Sequence, residues 1–157
     1  MVRSVYKITI SSDNAAKKTP FIYAGLALNI GAIYVGETRS SQGAMGRIAQ
    51  HISETSSNTF KKRICTIFKY DDVHLEDILF FAVPLSDYSG FWLKSNEYRR
   101  AVEYLVQNEM LNFIAEYKKE ALLVSRVTAN GYCQTDIVKN EAKIVSKSMI
   151  SSLIKVI

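Results

Sequence analysis

The chain is short of cysteine. Its two, Cys65 and Cys133, lie far apart and have no metal-ligand spacing, which argues against a disulfide framework or a cysteine-built metal site and predicts two buried thiols. No run approaches the roughly eighteen apolar residues of a membrane span. The opening residues, Met1-Val2-Arg3-Ser4-Val5-Tyr6, lack the apolar core of a secretory signal. No stretch has the composition of an extended disordered tail. These absences together lead us to expect a soluble, cytoplasmic protein with no membrane partner.

What is present suffices for one compact domain. The chain has 157 residues, 48% hydrophobic and 22% charged, ordinary values for a globular protein with its own core. A formal net charge of +5 favours a polyanionic partner, though charge of this size does not by itself specify nucleic acid.

Periodicity predicts the elements. Val2 to Ile10 alternates β-branched and polar residues and reads as a strand. Ser11 to Thr19 is a polar loop that Pro20 closes. Phe21 to Leu28 and Ala32 to Glu37 read as the two strands of a hairpin across Asn29-Ile30-Gly31, residues that tolerate a tight turn. Each carries an Ile-Tyr-x-Gly run, Ile22 to Gly25 and Ile33 to Gly36. A helix follows from about Ala44 to Ser53, with Met45, Ile48, Ala49 and Ile52 as its apolar face. Asn58 or Thr59 caps a second helix, Phe60 to Phe68. Ile78 to Leu85 is the most apolar run and reads as a buried strand ending at Pro84. Ser95 or Asn96 opens a long helix to about Lys119, with Val102, Leu105, Val106, Met110, Phe113 and Tyr117 in its apolar stripe. Leu122 to Val127 reads as a short strand, Asn130-Gly131 as a turn, and Asp136 as the start of a last helix whose apolar positions include Val138, Ala142, Val145, Met149 and Ile157. This order predicts an α+β fold: a small central antiparallel sheet flanked by helices, its core spanning about 4–120, with 121–157 as a C-terminal extension.

Four side chains stand out against this frame. Tyr34 lies two residues before Gly36, and glycine within a strand marks a close approach of backbone or ligand. Arg47 and His51, four residues apart, share one helix face. Arginine offers fixed donors to a phosphate oxygen, and histidine exchanges protons near neutral pH. Glu103 is an acid at the edge of an apolar stripe, whereas Glu97 and Glu109 fit exposed positions. The bland alternatives are a packed tyrosine and a solvated Arg–His face. Among the basic clusters Lys17-Lys18, Arg99-Arg100 and Lys118-Lys119 read as solvated charge. Lys61-Lys62-Arg63, on the helix after Arg47, is the favoured phosphate-contact patch.

Tyr34-Val35-Gly36, then Arg47 with His51, then Glu103 on a later helix, resembles the GIY-YIG nuclease family in order and spacing. The likeness covers roughly Ser4 to Glu116. Its first element has two alignments, both open at this point. Ser4-Val5-Tyr6-Lys7-Ile8 has the right flanks, with Ser4 in place of glycine and an insertion before Tyr34. Phe21-Ile22-Tyr23 lies eleven residues before Tyr34, a spacing typical of the family, with Phe21 in place of glycine. Glu37 follows the motif glycine where some members have lysine. An asparagine that many members carry after the glutamate helix matches Asn130, which also fits a plain Asn-Gly turn.

The resemblance implies a Mg²⁺- or Mn²⁺-dependent endonuclease acting on double-stranded DNA and leaving 5′-phosphate and 3′-hydroxyl ends. Tyr34 and either Tyr6 or Tyr23 would supply the catalytic hydroxyls, Arg47 the charge stabilisation, His51 orientation or a proton shuttle, and Glu103 the metal ligand. Lys61, Lys62, Arg63 and Asn130 would contact the nucleic acid. Specificity would come from the core, a homodimer or a partner subunit. The alternatives are a non-catalytic module on the same fold, binding nucleic acid or protein, and a structural protein with chance motifs.

Overall fold

The computed structural model describes residues 10–54, 58–86, 91–92, 95–117 and 120–156. The strand expected from Val2 lies outside these residues except for Ile10. Tyr6, Lys118, Lys119 and Ile157 also lie outside them.

Two antiparallel strands form the centre, β1 (Phe21–Ala27) and β2 (Ala32–Thr38). Their β-branched and aromatic residues favour extended chain. At the turn between them Gly31 takes φ +69°, a left-handed conformation open to glycine without steric cost. The two Ile-Tyr-x-Gly runs pair in opposite directions, so Tyr23 faces Gly36 and Gly25 faces Tyr34. Directly paired residues share a face and the side-chain period is two, so all four lie on one side of the sheet.

β3 (Ile78–Pro84) joins antiparallel to β1, and β4 (Leu122–Leu123) joins parallel to β2, giving the order β3-β1-β2-β4. The fold is α+β as expected, but β4 makes the sheet mixed, not wholly antiparallel. Two strand readings change. The run Ile78–Leu85 is not the buried strand expected: among the described residues β3 is the sheet edge, its residues only half-buried and its exposed Pro84 without a ladder bond to lose. The strand expected over Leu122–Val127 has two ladder residues. Beyond them the Val124 amide donates to Ile33 O at 2.8 Å, and the Val35 amide donates to Ser125 Oγ at 2.7 Å. A side chain thus finishes the edge of β2 in place of a longer ladder.

Helices cover both faces. On the tyrosine face lie α1 (Gly43–Ile52) and α2 (Thr59–Phe68), with Phe60 and Ile64 packed on Ala27 and Ala32. On the other lie α3 (Asn96–Tyr117) and α4 (Asp136–Leu153). Val102, Val106 and Met110 of α3 and Val138, Val145 and Met149 of α4 close over Ile22, Ala24, Ile33 and Val35. The segment read from sequence as an extension therefore supplies, within residues 121–156, a strand and part of the main core.

Two helix faces also differ from expectation. Tyr117, assigned to the stripe of α3, is 63% exposed at the helix end. In α1, Ala49 and Ile52 are exposed while Ala44 and His51 are buried. The helix is turned toward its polar residues because Arg47 and His51 find hydroxyl partners beneath it. Among the described residues no helix is long and apolar enough to cross a membrane.

Candidate active site

The glycine of the second run makes room for the tyrosine of the first. A Cβ at Gly36 would sit 2.6 Å from Tyr23 Cζ and closer still to its hydroxyl, so the ring lies directly over this bare backbone. Tyr34 stacks beside it, with ring centroids 6.1 Å apart. The Tyr23 oxygen meets His51 Nε2 at 2.7 Å and Arg47 Nε at 3.2 Å. The sequence-predicted Tyr23, Tyr34, Arg47 and His51 thus converge on one patch of the sheet.

The proton positions follow from the neighbours. The Phe60 amide, at the start of α2, donates to His51 Nδ1 at 3.2 Å. That nitrogen must be the unprotonated one, so the ring proton is on Nε2 and points at the Tyr23 oxygen. Tyr23 therefore accepts two hydrogen bonds. His51 is fully buried. Burial, and then the nearby positive Arg47, push its pKa down to about 4, so the imidazole is neutral at pH 7 and orients Tyr23 without acting as an acid. Burial, and then Tyr34, hold the Tyr23 hydroxyl well above the ordinary tyrosine value.

Arg47 is half-buried and has no carboxylate partner among the described residues. Its acceptors are all neutral: Tyr23, Gln50 Oε1 at 2.7 Å from Nη1, and Thr59 Oγ1 at 3.4 Å from Nη2. Burial opposes its charge, but the Tyr23 and Tyr34 oxygens outweigh burial and hold its pKa above the ordinary value. A guanidinium presents five N–H donors in a fixed fork, and every acceptor named here, the Tyr34 oxygen included, is neutral. A half-buried cation that meets only neutral acceptors is a receptor for an anion.

Glu103 comes from the opposite layer. On α3 the residues 99, 103 and 107 share a face at helical spacing. Arg99 Nε pairs with Glu37 Oε2 at 2.8 Å, and Gln107 Nε2 donates to Val35 O at 3.1 Å. Bracketed by these contacts, Glu103 stands level with Gly36 at the edge of β2. Gln107 Nε2 also donates to its Oε1 at 3.2 Å. Only 6% of Glu103 is exposed. Burial, and then repulsion from Glu37, raise its pKa to about 8, against the pull of Arg100 and Arg47.

No group of three or more His, Cys, Asp or Glu gathers among the described residues, which excludes a closed protein cage there. Mg²⁺ needs less, since it is commonly held by one or two carboxylates with water completing its shell. A single buried carboxylate that is costly to ionise without a neighbouring cation fits that mode.

The other predicted residues divide. Lys62 and Arg63 are exposed on α2 within a turn of Thr59 and Phe60, next to the site. Lys61 on the same helix is tied to Asp72 at 2.7 Å. The Asn130 side chain is committed within the protein: it accepts from the Tyr132 amide at 3.0 Å and donates to Glu97 O at 2.9 Å, which is what a turn-forming asparagine does. Arg99, read as solvated, is buried and also donates to Trp92 O at 2.6 Å. Sequence reasoning missed Gln50, Thr59 and Gln107. Gln50 and Gln107 lie three and four residues from Arg47 and Glu103, a spacing that marks them as neighbours; Thr59 was read only as an alternative helix cap. Comparison of the chain with protein-family models, with curated proteins and with solved structures gives no match.

Proposed function

We propose that this protein is a metal-dependent DNA endonuclease of the GIY-YIG type, hydrolysing phosphodiesters to 5′-phosphate and 3′-hydroxyl ends. The observation that carries the reading is Arg47: a half-buried guanidinium with only neutral acceptors, beside two tyrosine hydroxyls and a buried neutral histidine. A phosphodiester supplies the anion it lacks. In-line attack by water forms a new P–O bond as the bond to the 3′ oxygen breaks, with one water proton ending on that 3′ oxygen; the transition state carries added negative charge on the non-bridging oxygens, and the Arg47 guanidinium meets that charge. A tyrosine hydroxyl at the rim orients the attacking water. Glu103 would hold Mg²⁺ or Mn²⁺, which when bound supplies Lewis-acid neutralisation of the phosphate. Lys62 and Arg63, exposed on α2, suit sequence-independent contacts with the duplex backbone.

The test is incubation of purified protein with supercoiled plasmid, linear duplex and branched DNA, with Mg²⁺ or Mn²⁺ and with an EDTA control. Nicking or cutting that EDTA abolishes is expected. Intact DNA in every case, with binding retained, would instead support a non-catalytic nucleic-acid-binding module.

A further inference from the structure

The hydrogen bonds around Arg47 close on themselves. Arg47 donates from Nη2 to Thr59 Oγ1. That hydroxyl, its oxygen occupied as acceptor, has its own proton for His51 Nδ1, 3.2 Å away. His51 donates from Nε2 to Tyr23, and Tyr23 accepts again from Arg47 Nε. Arg47 is thus the source of two donors and Tyr23 the sink of two. Tyr23 and His51 are 1% and 0% exposed, so neither presents its working atom to solvent. Arg47 and Tyr34 are partly exposed.

We propose that Tyr23, His51 and Thr59 form a hydrogen-bonded ring that aims Arg47 at a phosphate, which makes these three positioning residues and leaves Tyr34 as the tyrosine that meets the substrate. The substrate half of this statement rests on the phosphodiesterase reading; the ring does not. Thr59 gains its place by geometry: as the first residue of α2, it connects the guanidinium to the helix end that fixes the His51 tautomer. Tyr23, holding two incoming bonds under burial, keeps its proton and is no base at neutral pH.

The ring can be read without DNA. ¹⁵N NMR of the metal-free protein should give His51 as the Nε2–H tautomer from pH 6 to 8. The Nδ1–H form would reverse the Tyr23 bond and overturn the proposal. Thr59→Val keeps the shape and removes the hydroxyl. It should speed hydrogen exchange at Arg47 Nε and weaken binding of inorganic phosphate about tenfold, the scale of one hydrogen bond to a charged group. Thr59→Ser should restore both. Wild-type behaviour in the valine variant would overturn the role of Thr59. Tyr34→Phe should disturb Arg47 Nε exchange less than Thr59→Val does while lowering kcat for DNA; if it loosens Arg47 as much as Thr59→Val, Tyr34 belongs to the ring and the assignment falls. Absence of cleavage in all forms, with tautomer and phosphate binding as expected, would count against the nuclease reading and leave the ring standing.

Discussion

Replacing Gly36 with alanine tests the centre of the site with one methyl group. The new Cβ would lie 2.6 Å from Tyr23 Cζ and 2.9 Å from Tyr34 Cε1, well inside van der Waals contact. Both rings are packed, Tyr23 against Tyr34 and His51 and Tyr34 against Phe60, so neither can swing aside freely. Overpacking of this kind costs about 1–3 kcal/mol. Displacing the Tyr23 hydroxyl also strains its bonds to His51 and Arg47, worth about 1 kcal/mol each. Losing one or both of them brings the total to about 2–5 kcal/mol of stability, together with a misplaced guanidinium. Urea unfolding checks it: with a slope of about 2 kcal/mol per molar, the midpoint should fall by about 1–2.5 M. Gly131 is the control, because a Cβ there meets nothing within 4 Å, and Gly131→Ala should leave the midpoint near wild type. A Gly36→Ala protein with the wild-type midpoint would refute the argument that this glycine exists to seat Tyr23.

Acid should unfold the protein partly through His51. Its folded pKa of about 4 lies below the ordinary value of about 6.5, so the stability held by the neutral ring is complete above pH 6.5 and is lost as pH falls toward 4. The loss is up to about 3 kcal/mol, and a His51→Gln variant should show a flatter profile in urea titrations across that range. Glu103 has the opposite sign: with its folded pKa near 8, above the ordinary 4.3 or so, it lowers stability as pH rises from about 4.5 to 8. Metal-free Glu103→Gln should therefore unfold at higher urea than wild type at pH 8, while losing metal-dependent cleavage and keeping DNA binding; equal midpoints at pH 8 would count against the buried carboxyl. Arg47→Ala should lower kcat at least about 10²-fold, the scale of a lost transition-state donor, as measured in single-turnover cleavage. Arg99→Ala leaves the half-buried Glu37 without this cation and removes the bond to the Trp92 carbonyl, and thermal unfolding should report a loss of about 3–5 kcal/mol.

The hairpin was legible because its signals agree: alternation, a glycine turn and two matching Tyr-x-Gly runs. Glu103 was legible because an acid inside an apolar stripe breaks a pattern. The buried face of α1 was misread because hydrophobic periodicity cannot show that an arginine and a histidine will turn inward when a tyrosine oxygen waits for them. The apolar run at β3 gave no sign that it would lie at an edge, since an edge strand and a central one can carry the same residues. Arg99 looked like one half of an exposed basic pair; its partner Glu37 is 62 positions away, a distance no local pattern spans. Thr59 and Gln107 carry their weight through contacts alone, and their residue types are unremarkable where they stand.

The guanidinium and the acid belong to opposite layers. Arg47 rides on α1 over one face of the sheet, and Glu103 belongs to α3, which packs against the other, yet Arg47 still acts electrostatically on the Glu103 carboxyl. A chain in which the hairpin and α1 have formed but α3 has not docked would hold the anion receptor without its acid. Such a molecule could grip a phosphate and not cut it. Under the nuclease reading, then, cutting DNA requires α3 docked on the sheet, whereas holding a phosphate does not.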